Sequence, residues 1–197
     1  MFKKGLIKII SLLLVGATLF ATVACSKRNK DNNPTTTTTD KLTFSGTHVY
    51  TATETSKDFI KDGTCDYTLV VPEVATYYIR TAQTEFMYFF KKATNIDLRV
   101  VKDTSLPTQE HTQSGKYISL GETTLLKSTD INYDKKTLTA DGGRIVTKDN
   151  SIYIVGGYDT GTMFAVYTFM RLTFNYECYS PSTTVIDENV KDLKLKN

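Results

Sequence analysis

The stretch Ser151–Pro181, SIYIVGGYDTGTMFAVYTFMRLTFNYECYSP, decides the fold of this chain. Residues 151–155 are β-branched and aromatic, and two glycines follow them directly, which predicts a strand that ends in a tight turn. Asp159 and Thr160 offer helix N-caps, and residues 162–174 are apolar on nearly every side, which predicts a helix buried inside a domain. A strand, a glycine turn and a buried helix are together typical of an α/β domain.

The residues before this stretch predict a sheet and a second long helix. Apolar side chains recur at three- and four-residue steps in that helix, and we interpret its aromatic stripe, FMYFF, as core packing against a sheet. Phe86 and, in the later helix, Phe164 are assigned to core faces. We expect an α/β (α+β) sandwich, a mixed sheet of about five to seven strands with two long helices packed on one face. The predicted segments are the helix Thr76–Ala93 and the strands Tyr67–Pro72, Asp97–Lys102, Lys116–Leu120 and Asp141–Lys148, the last forming a hairpin with residues 151–155.

Four motifs follow one another through these elements. The last reads roughly "ni.i.G....G..yAvy.fle...G...y.P", with Asn175 where a glycine is usual. Asn95 likewise replaces a glycine after the first helix, and asparagine also tolerates the left-handed conformation of a helix C-cap. The matched positions are Ala82, Glu85, Phe86, Phe89, Lys92, Ala93, Thr94 and Leu98; Tyr117, Ser119, Leu120, Gly121 and Thr123; Asp141, Gly142, Ile145 and Asn150; and Ile152, Tyr153, Ile154, Gly156, Gly161, Phe164–Tyr167, Phe169, Tyr179 and Pro181.

In this order the motifs resemble the N-terminal α/β domain of several glycoside hydrolases, over about residues 67–180. These are the family 20 hexosaminidases, the family 67 α-glucuronidases and relatives in which the module precedes a DUF4838 region. The resemblance implies a hexosaminidase domain 2-like fold, with the catalytic acids in a barrel that follows the domain. We therefore expect a non-catalytic accessory domain of glycan processing, either the N-terminal part of a glycoside hydrolase-like protein or a stand-alone unit.

The N-terminus predicts export. Lys3, Lys4 and Lys8 precede or enter a short apolar stretch that ends in small residues, so residues 1–24 are typical of a secretory signal peptide. Cys25 directly after Val-Ala resembles a bacterial lipobox, which implies a lipidated Cys25 and a membrane-anchored lipoprotein on the extracytoplasmic face of a bacterial cell. The alternative is an ordinary signal peptide followed by an incidental cysteine.

The composition of the remaining chain predicts a flexible linker followed by one domain. Residues 25–45 contain few apolar side chains and a run of threonines, which predicts a flexible linker after the lipidated cysteine. Residues 46–197 then form a single glycosidase-type N-terminal α/β domain.

Charge argues against nucleic acid as a partner. The chain has 24 Lys+Arg and 21 Asp+Glu, and three of the lysines lie in the predicted leader, which leaves 21 of each sign. A neutral protein lacks the basic surface that phosphate backbones require. The predicted partners are the membrane, through the lipid anchor, and a glycan or a catalytic barrel domain.

No constellation of catalytic or metal-binding residues is found in the sequence. The acidic residues lie mainly in loops, no serine occupies a G-x-S-x-G turn, and His48 and His111 have no metal-ligand spacing to a cysteine or to each other. The glycine turn has the spacing G-G-x-x-x-G. This matches neither of the two phosphate-binding motifs, G-x-G-x-x-G and G-x-x-x-x-G-K-[ST], and Asp159 would repel a phosphate. We therefore predict no catalytic residues, no metal and no cofactor.

Cys65 and Cys178 remain after Cys25 is assigned to the lipid. Export permits a disulfide between them, and two partly buried free thiols are the alternative that we take as the default.

The candidate contact residues are Tyr158, Asp159, Tyr176 and Tyr179, which flank the glycine turn and the exit from the last helix. Exposed tyrosine rings with polar neighbours are typical of sugar-binding or protein-binding surfaces. The alternative is that Tyr176 and Tyr179 only pack the last helix against the sheet.

Overall fold

The structure, a computed structural model, describes residues 42–43, 49–50, 52–106 and 115–197. The predicted leader, Cys25 and both histidines lie outside these residues. The strands are β1 (Leu42–Thr43), β2 (Val49–Tyr50), β3 (Glu54–Ile60), β4 (Thr68–Val71), β5 (Arg99–Lys102), β6 (Tyr117–Leu120), β7 (Gly143–Lys148), β8 (Ser151–Gly156), β9 (Glu177–Ser180), β10 (Thr183–Val185) and β11 (Leu193–Lys196). The helices are α1 (Tyr77–Thr94), α2 (Thr124–Lys127), α3 (Lys135–Leu138) and α4 (Asp159–Phe174), and a 3-10 turn covers Asp103–Ser105.

A mixed sheet of five strands forms the centre of the domain, in the order β5-β4-β6-β8-β7. Strands β4, β5, β6 and β8 are parallel, and β7 joins β8 as the antiparallel arm of a hairpin. The predicted mixed α/β sheet and its hairpin are therefore confirmed. The four parallel strands all end at the same side of the sheet, which we call the carboxyl edge.

Both long helices contribute to one core on the same face of the sheet. Alternate residues of the parallel strands, such as Leu69, Ile118 and Ile152, belong to the same buried cluster as Phe86 of α1 and Phe169 of α4. The rings of these two phenylalanines are stacked at 5.5 Å. The intervening strand residues point to the opposite face, where a smaller cluster forms around the short helix α2.

The predicted helix ends agree with the structure at both C-termini. Asn95 and Asn175 adopt φ angles of 61° and 53°, which is the left-handed conformation that asparagine tolerates in place of glycine. At the start of α4 the prediction is wrong, because Asp159 is the first helical residue and Tyr158 is the N-cap, without a side-chain capping bond.

A two-stranded ribbon of β3 and β11 joins the first and last described parts of the domain, and it was not predicted from the sequence. Phe59 of β3 inserts into the helical side of the core, where its ring meets Phe90 and Phe169 edge-on. The segment before β11 also binds the ends of the long helices: Val190 N donates to Ala93 O and Asp187 N donates to Phe174 O, each at 2.9 Å. These bonds satisfy carbonyl groups that a helix end leaves without partners.

The assignment of Phe164 to the core is wrong. Its side chain is 44% exposed, while Ala165, Val166 and Phe169 of the same helix are buried. Helix α4 is apolar around most of its circumference, but only one face of it meets the sheet and α1. Periodicity alone does not identify the buried face of such a helix.

Within the described part of the chain, no helix has both the length and the apolar character that crossing a bilayer requires.

The two phenylalanines give a direct test of the core. Phe86→Ala should lower the free energy of unfolding by about 3 to 5 kcal/mol, because it opens a cavity in a fully buried site. Phe164→Ala should cost less than about 1 kcal/mol, because the side chain is partly solvated. Urea unfolding of both variants checks this, and equal losses would contradict the placement of α4.

Candidate functional site

The carboxyl edge is the part of this fold where a site is expected. Strand β4 leads through α1 to β5 on one side, whereas β6 lies on its other side, so the chain reverses direction across β4. In open α/β sheets, ligands bind outside the carboxyl ends of the strands at such a switch point. The loops that follow β4, β5, β6 and β8 all meet there.

Asp103 joins three of these loops. Its side chain is buried, and its two carboxylate oxygens accept hydrogen bonds from the backbone N–H groups of Glu73 at 2.9 Å and Thr124 at 2.8 Å. The hydroxyl of Thr104 also donates to the Glu73 carboxylate. Because each oxygen of Asp103 accepts a hydrogen bond from a different loop, this carboxylate stabilises the arrangement of the loops.

A second link connects the starts of the two long helices. The Thr76 hydroxyl, the N-cap of α1, donates to the Asp159 carboxylate at 2.7 Å. Asp159 lies in the first turn of α4, where a negative charge interacts favourably with the helix dipole. Asp159 therefore has a structural partner, in addition to its predicted role as a contact residue.

The glycine turn before α4 is packed too closely to hold a phosphate. The N–H of Gly156 donates to the buried Thr162 hydroxyl at 2.8 Å, and the N–H of Gly157 donates to Gly142 O at 3.1 Å. A Cβ atom at Gly156 would lie 2.3 Å from Thr162 N. The N–H groups of both glycines are thus used inside the domain.

Tyr158 is the predicted contact residue that the structure places at the carboxyl edge with an exposed ring. It is 51% exposed, and Lys135 of α3 positions its ammonium group 5.1 Å from the ring centroid. Lysine over an aromatic face is a favourable cation–π arrangement.

An open cleft of about 390 Å³ lies beside this pair. It is bounded by Glu122, the second residue after β6, and by the segment that leads into α3. Burial, and secondarily the Glu122 carboxylate, raise the pKa of Tyr133. The lining residues are Glu122, Ile131, Asn132, Tyr133, Asp134 and Lys135. Sequence reasoning did not find this cleft, because residues 131–135 carry no periodic or motif signal.

The four predicted contact residues do not form one surface. Tyr158 and Asp159 lie at the start of α4 and Tyr176 and Tyr179 beyond its end, and a helix of 16 residues separates them by about 24 Å. Tyr179 is 73% exposed on β9, but Tyr176 is only 6% exposed.

Tyr176 is instead a packing residue, as the alternative interpretation has it. Its ring lies 4.5 Å from that of Phe89 and is stacked on Tyr167 at 5.9 Å. Burial is the main cause of its raised pKa, and a hydrogen bond with Cys178 adds to it.

The two cysteines of the described domain are free thiols. Cys65 is partly buried, and burial raises the pKa of its thiol, whereas Cys178 is exposed on β9. The default prediction of free thiols is therefore confirmed, but the partial burial expected of Cys178 is wrong. Among the described residues, no group of three or more histidine, cysteine or acidic side chains is close enough together to hold a metal ion.

A scan of the chain against protein-family models finds no match, and a search of the curated proteins finds no significant match.

Thr162 offers a test of the packed glycine turn. Thr162→Val preserves shape but removes the acceptor of the buried Gly156 N–H, which should cost about 1 to 3 kcal/mol of stability. Thr168→Val is the matched control in the same helix, since its hydroxyl only donates to Phe164 O, four residues back. Thermal and urea unfolding should separate the two variants; equal stability would show that the Thr162 bond contributes nothing.

Proposed function

We propose that this chain is a lipid-anchored, extracytoplasmic accessory domain of glycan processing, with a hexosaminidase domain 2-like fold and no catalysis of its own. The observation that carries the proposal is the position of the four sequence motifs. They fall on α1, on the end of β6, on the β7–β8 hairpin and on the turn into α4, which are the elements that build the central sheet and its main core.

The glycines of these motifs have structural reasons to be glycine in this chain. Gly121 follows β6 with a φ of +78°, a left-handed conformation that other residues rarely adopt. A Cβ atom at Gly161 would lie 2.3 Å from Gly142 O, so the first turn of α4 would have to move away from β7. Motif positions that coincide with steric requirements support a resemblance of fold.

The residues after Pro181 belong to the domain. Pro181 lies in the turn between β9 and β10, and the following residues return to the core. Ile186 and Leu195 are buried in its core, and β11 completes the ribbon with β3.

A protein-docking role is the second candidate, and a separate surface favours it. At the start of α1, Val74 is 87% exposed, and the adjacent tyrosines Tyr77 and Tyr78 are also exposed. Their rings meet edge-on at 5.5 Å. Exposed aromatic side chains are enriched at protein interfaces, and a catalytic barrel protein is the partner that the resemblance implies.

The lipid anchor is tested by membrane partitioning. Expressed in a bacterial host, the chain should enter the detergent phase, because a diacylated Cys25 adds about 0.8 kcal/mol of membrane affinity for each buried methylene. Cys25→Ala should move the protein to the aqueous phase. Cys178→Ala is the matched control and should stay in detergent; identical partitioning of all three would refute lipidation.

The glycan-associated role is tested with the mature chain in detergent. It should be retained on columns of insoluble cellulose, xylan or chitin and should release no chromophore from aryl glycosides. Hydrolysis that survives removal of host enzymes would overturn the non-catalytic assignment. The docking role would be favoured instead if the chain binds no polysaccharide but captures a barrel-type glycoside hydrolase. That capture should be lost in Tyr77→Ala and kept in Tyr88→Ala, the matched control.

A further inference from the structure

We propose that the cleft at the carboxyl edge, together with the ring of Tyr158, binds a neutral oligosaccharide. This inference rests on the proposed function and adds to it a location and a ligand class. The main observation behind this proposal is the position of two polar side chains, Asn132 and Asp134, which both line the cleft.

Local hydrogen bonds fix these two side chains in place. The Asn132 amide oxygen accepts from Asp134 N at 2.9 Å, so the amide nitrogen with its two hydrogens is turned away from this bond. One carboxylate oxygen of Asp134 accepts from Lys136 N at 3.0 Å, which leaves the other oxygen as an acceptor. Side chains oriented before binding lose less conformational entropy when a ligand arrives.

The remaining walls supply both hydrogen-bond donors and acceptors. The Tyr133 hydroxyl and the Lys135 ammonium group are donors, and the Glu122 carboxylate is an acceptor. Ile131 is the one aliphatic residue among those that line the cleft. Sites for drug-like apolar ligands are enclosed and mainly hydrophobic, whereas this cleft is open and its lining combines polar and apolar surface. A polyhydroxylated ligand that exchanges water for protein hydrogen bonds fits this chemistry.

The charge of the side chains that line the cleft further restricts the class of ligand. Glu122 and Asp134 oppose one ammonium group, that of Lys135, so the lining carries a net negative charge. A phosphorylated, sulfated or uronic ligand would meet two carboxylates and be repelled. A neutral sugar is not repelled by these carboxylates.

An aromatic platform adjoins the polar cleft. The ring of Tyr158 is half exposed, and it contacts the same Lys135 that lines the cleft. The apolar face of a sugar ring packs on such a plane while its hydroxyl groups reach the polar wall. Asn132, Asp134 and Lys135, which line the cleft, are exposed side chains.

The test uses the mature chain in detergent and four neutral hexasaccharides, the β-1,4-linked oligomers of glucose, xylose, mannose and N-acetylglucosamine. Isothermal titration should show binding of at least one of them, and hexagalacturonate should bind at least tenfold more weakly. Asn132→Ala and Tyr158→Ala should each weaken binding by at least tenfold. Tyr179→Ala, a substitution of another exposed tyrosine beyond the other end of α4, should leave binding unchanged.

Unfolding midpoints of the three variants should stay close to that of the parent, because all three side chains are exposed and Asn132→Ala removes only a local hydrogen bond. If binding survives in Asn132→Ala and Tyr158→Ala, or is lost only in Tyr179→Ala, the cleft is not the binding site. The proposed glycan-associated function would remain intact. Absence of binding to every hexasaccharide and every polysaccharide overturns both. Tighter binding of hexagalacturonate than of the neutral oligomers overturns the assignment of a neutral ligand.

Discussion

The close contact between helix α4 and the β7–β8 hairpin is the constraint on which the rest of this domain depends. A Cβ atom at Gly143 would lie 2.7 Å from that of Ala165, and one at Gly156 would meet the backbone of the first helical turn. With glycine at these positions the helix lies directly on the sheet. Its buried face then reaches α1, so that Phe169 stacks on Phe86 and the two long helices share one core.

The same close packing of helix α4 on the β7–β8 hairpin determines which groups the carboxyl edge offers to a ligand. In the described part of the chain, the Gly156 N–H of the glycine turn bonds inside the domain, and Asp103 links the neighbouring loops. Polar and aromatic groups that face solvent lie at the margin of this edge, in the cleft before α3 and on the ring of Tyr158. Such a surface is suited to binding.

The sequence predicted the elements whose local chemistry is unambiguous. The periodic stripe around Phe86 and the left-handed caps at Asn95 and Asn175 agree with the structure, because each depends on neighbours within a few residues. Phe164 was misplaced because an all-apolar helix has no preferred face in its own sequence. The ribbon was missed because β3 is largely polar, and its pairing with β11 depends on residues more than a hundred positions away. For the candidate site, Tyr158 was found as an aromatic residue beside a glycine turn, whereas the cleft arises only when separate loops meet.

The antiparallel ribbon of β3 and β11 determines how the domain responds to mechanical load. The first residue of β3 faces the last residue of β11, and Thr53 and Asn197 exchange backbone hydrogen bonds just beyond them. A force that pulls these two points apart loads the ribbon from this end, one pair of residues after another. Release of β11 also requires the bond from the Thr147 hydroxyl to Lys196 O to break and the buried Leu195 to leave the core. The resistance of the ribbon to tension is therefore coupled to the packing of the central sheet.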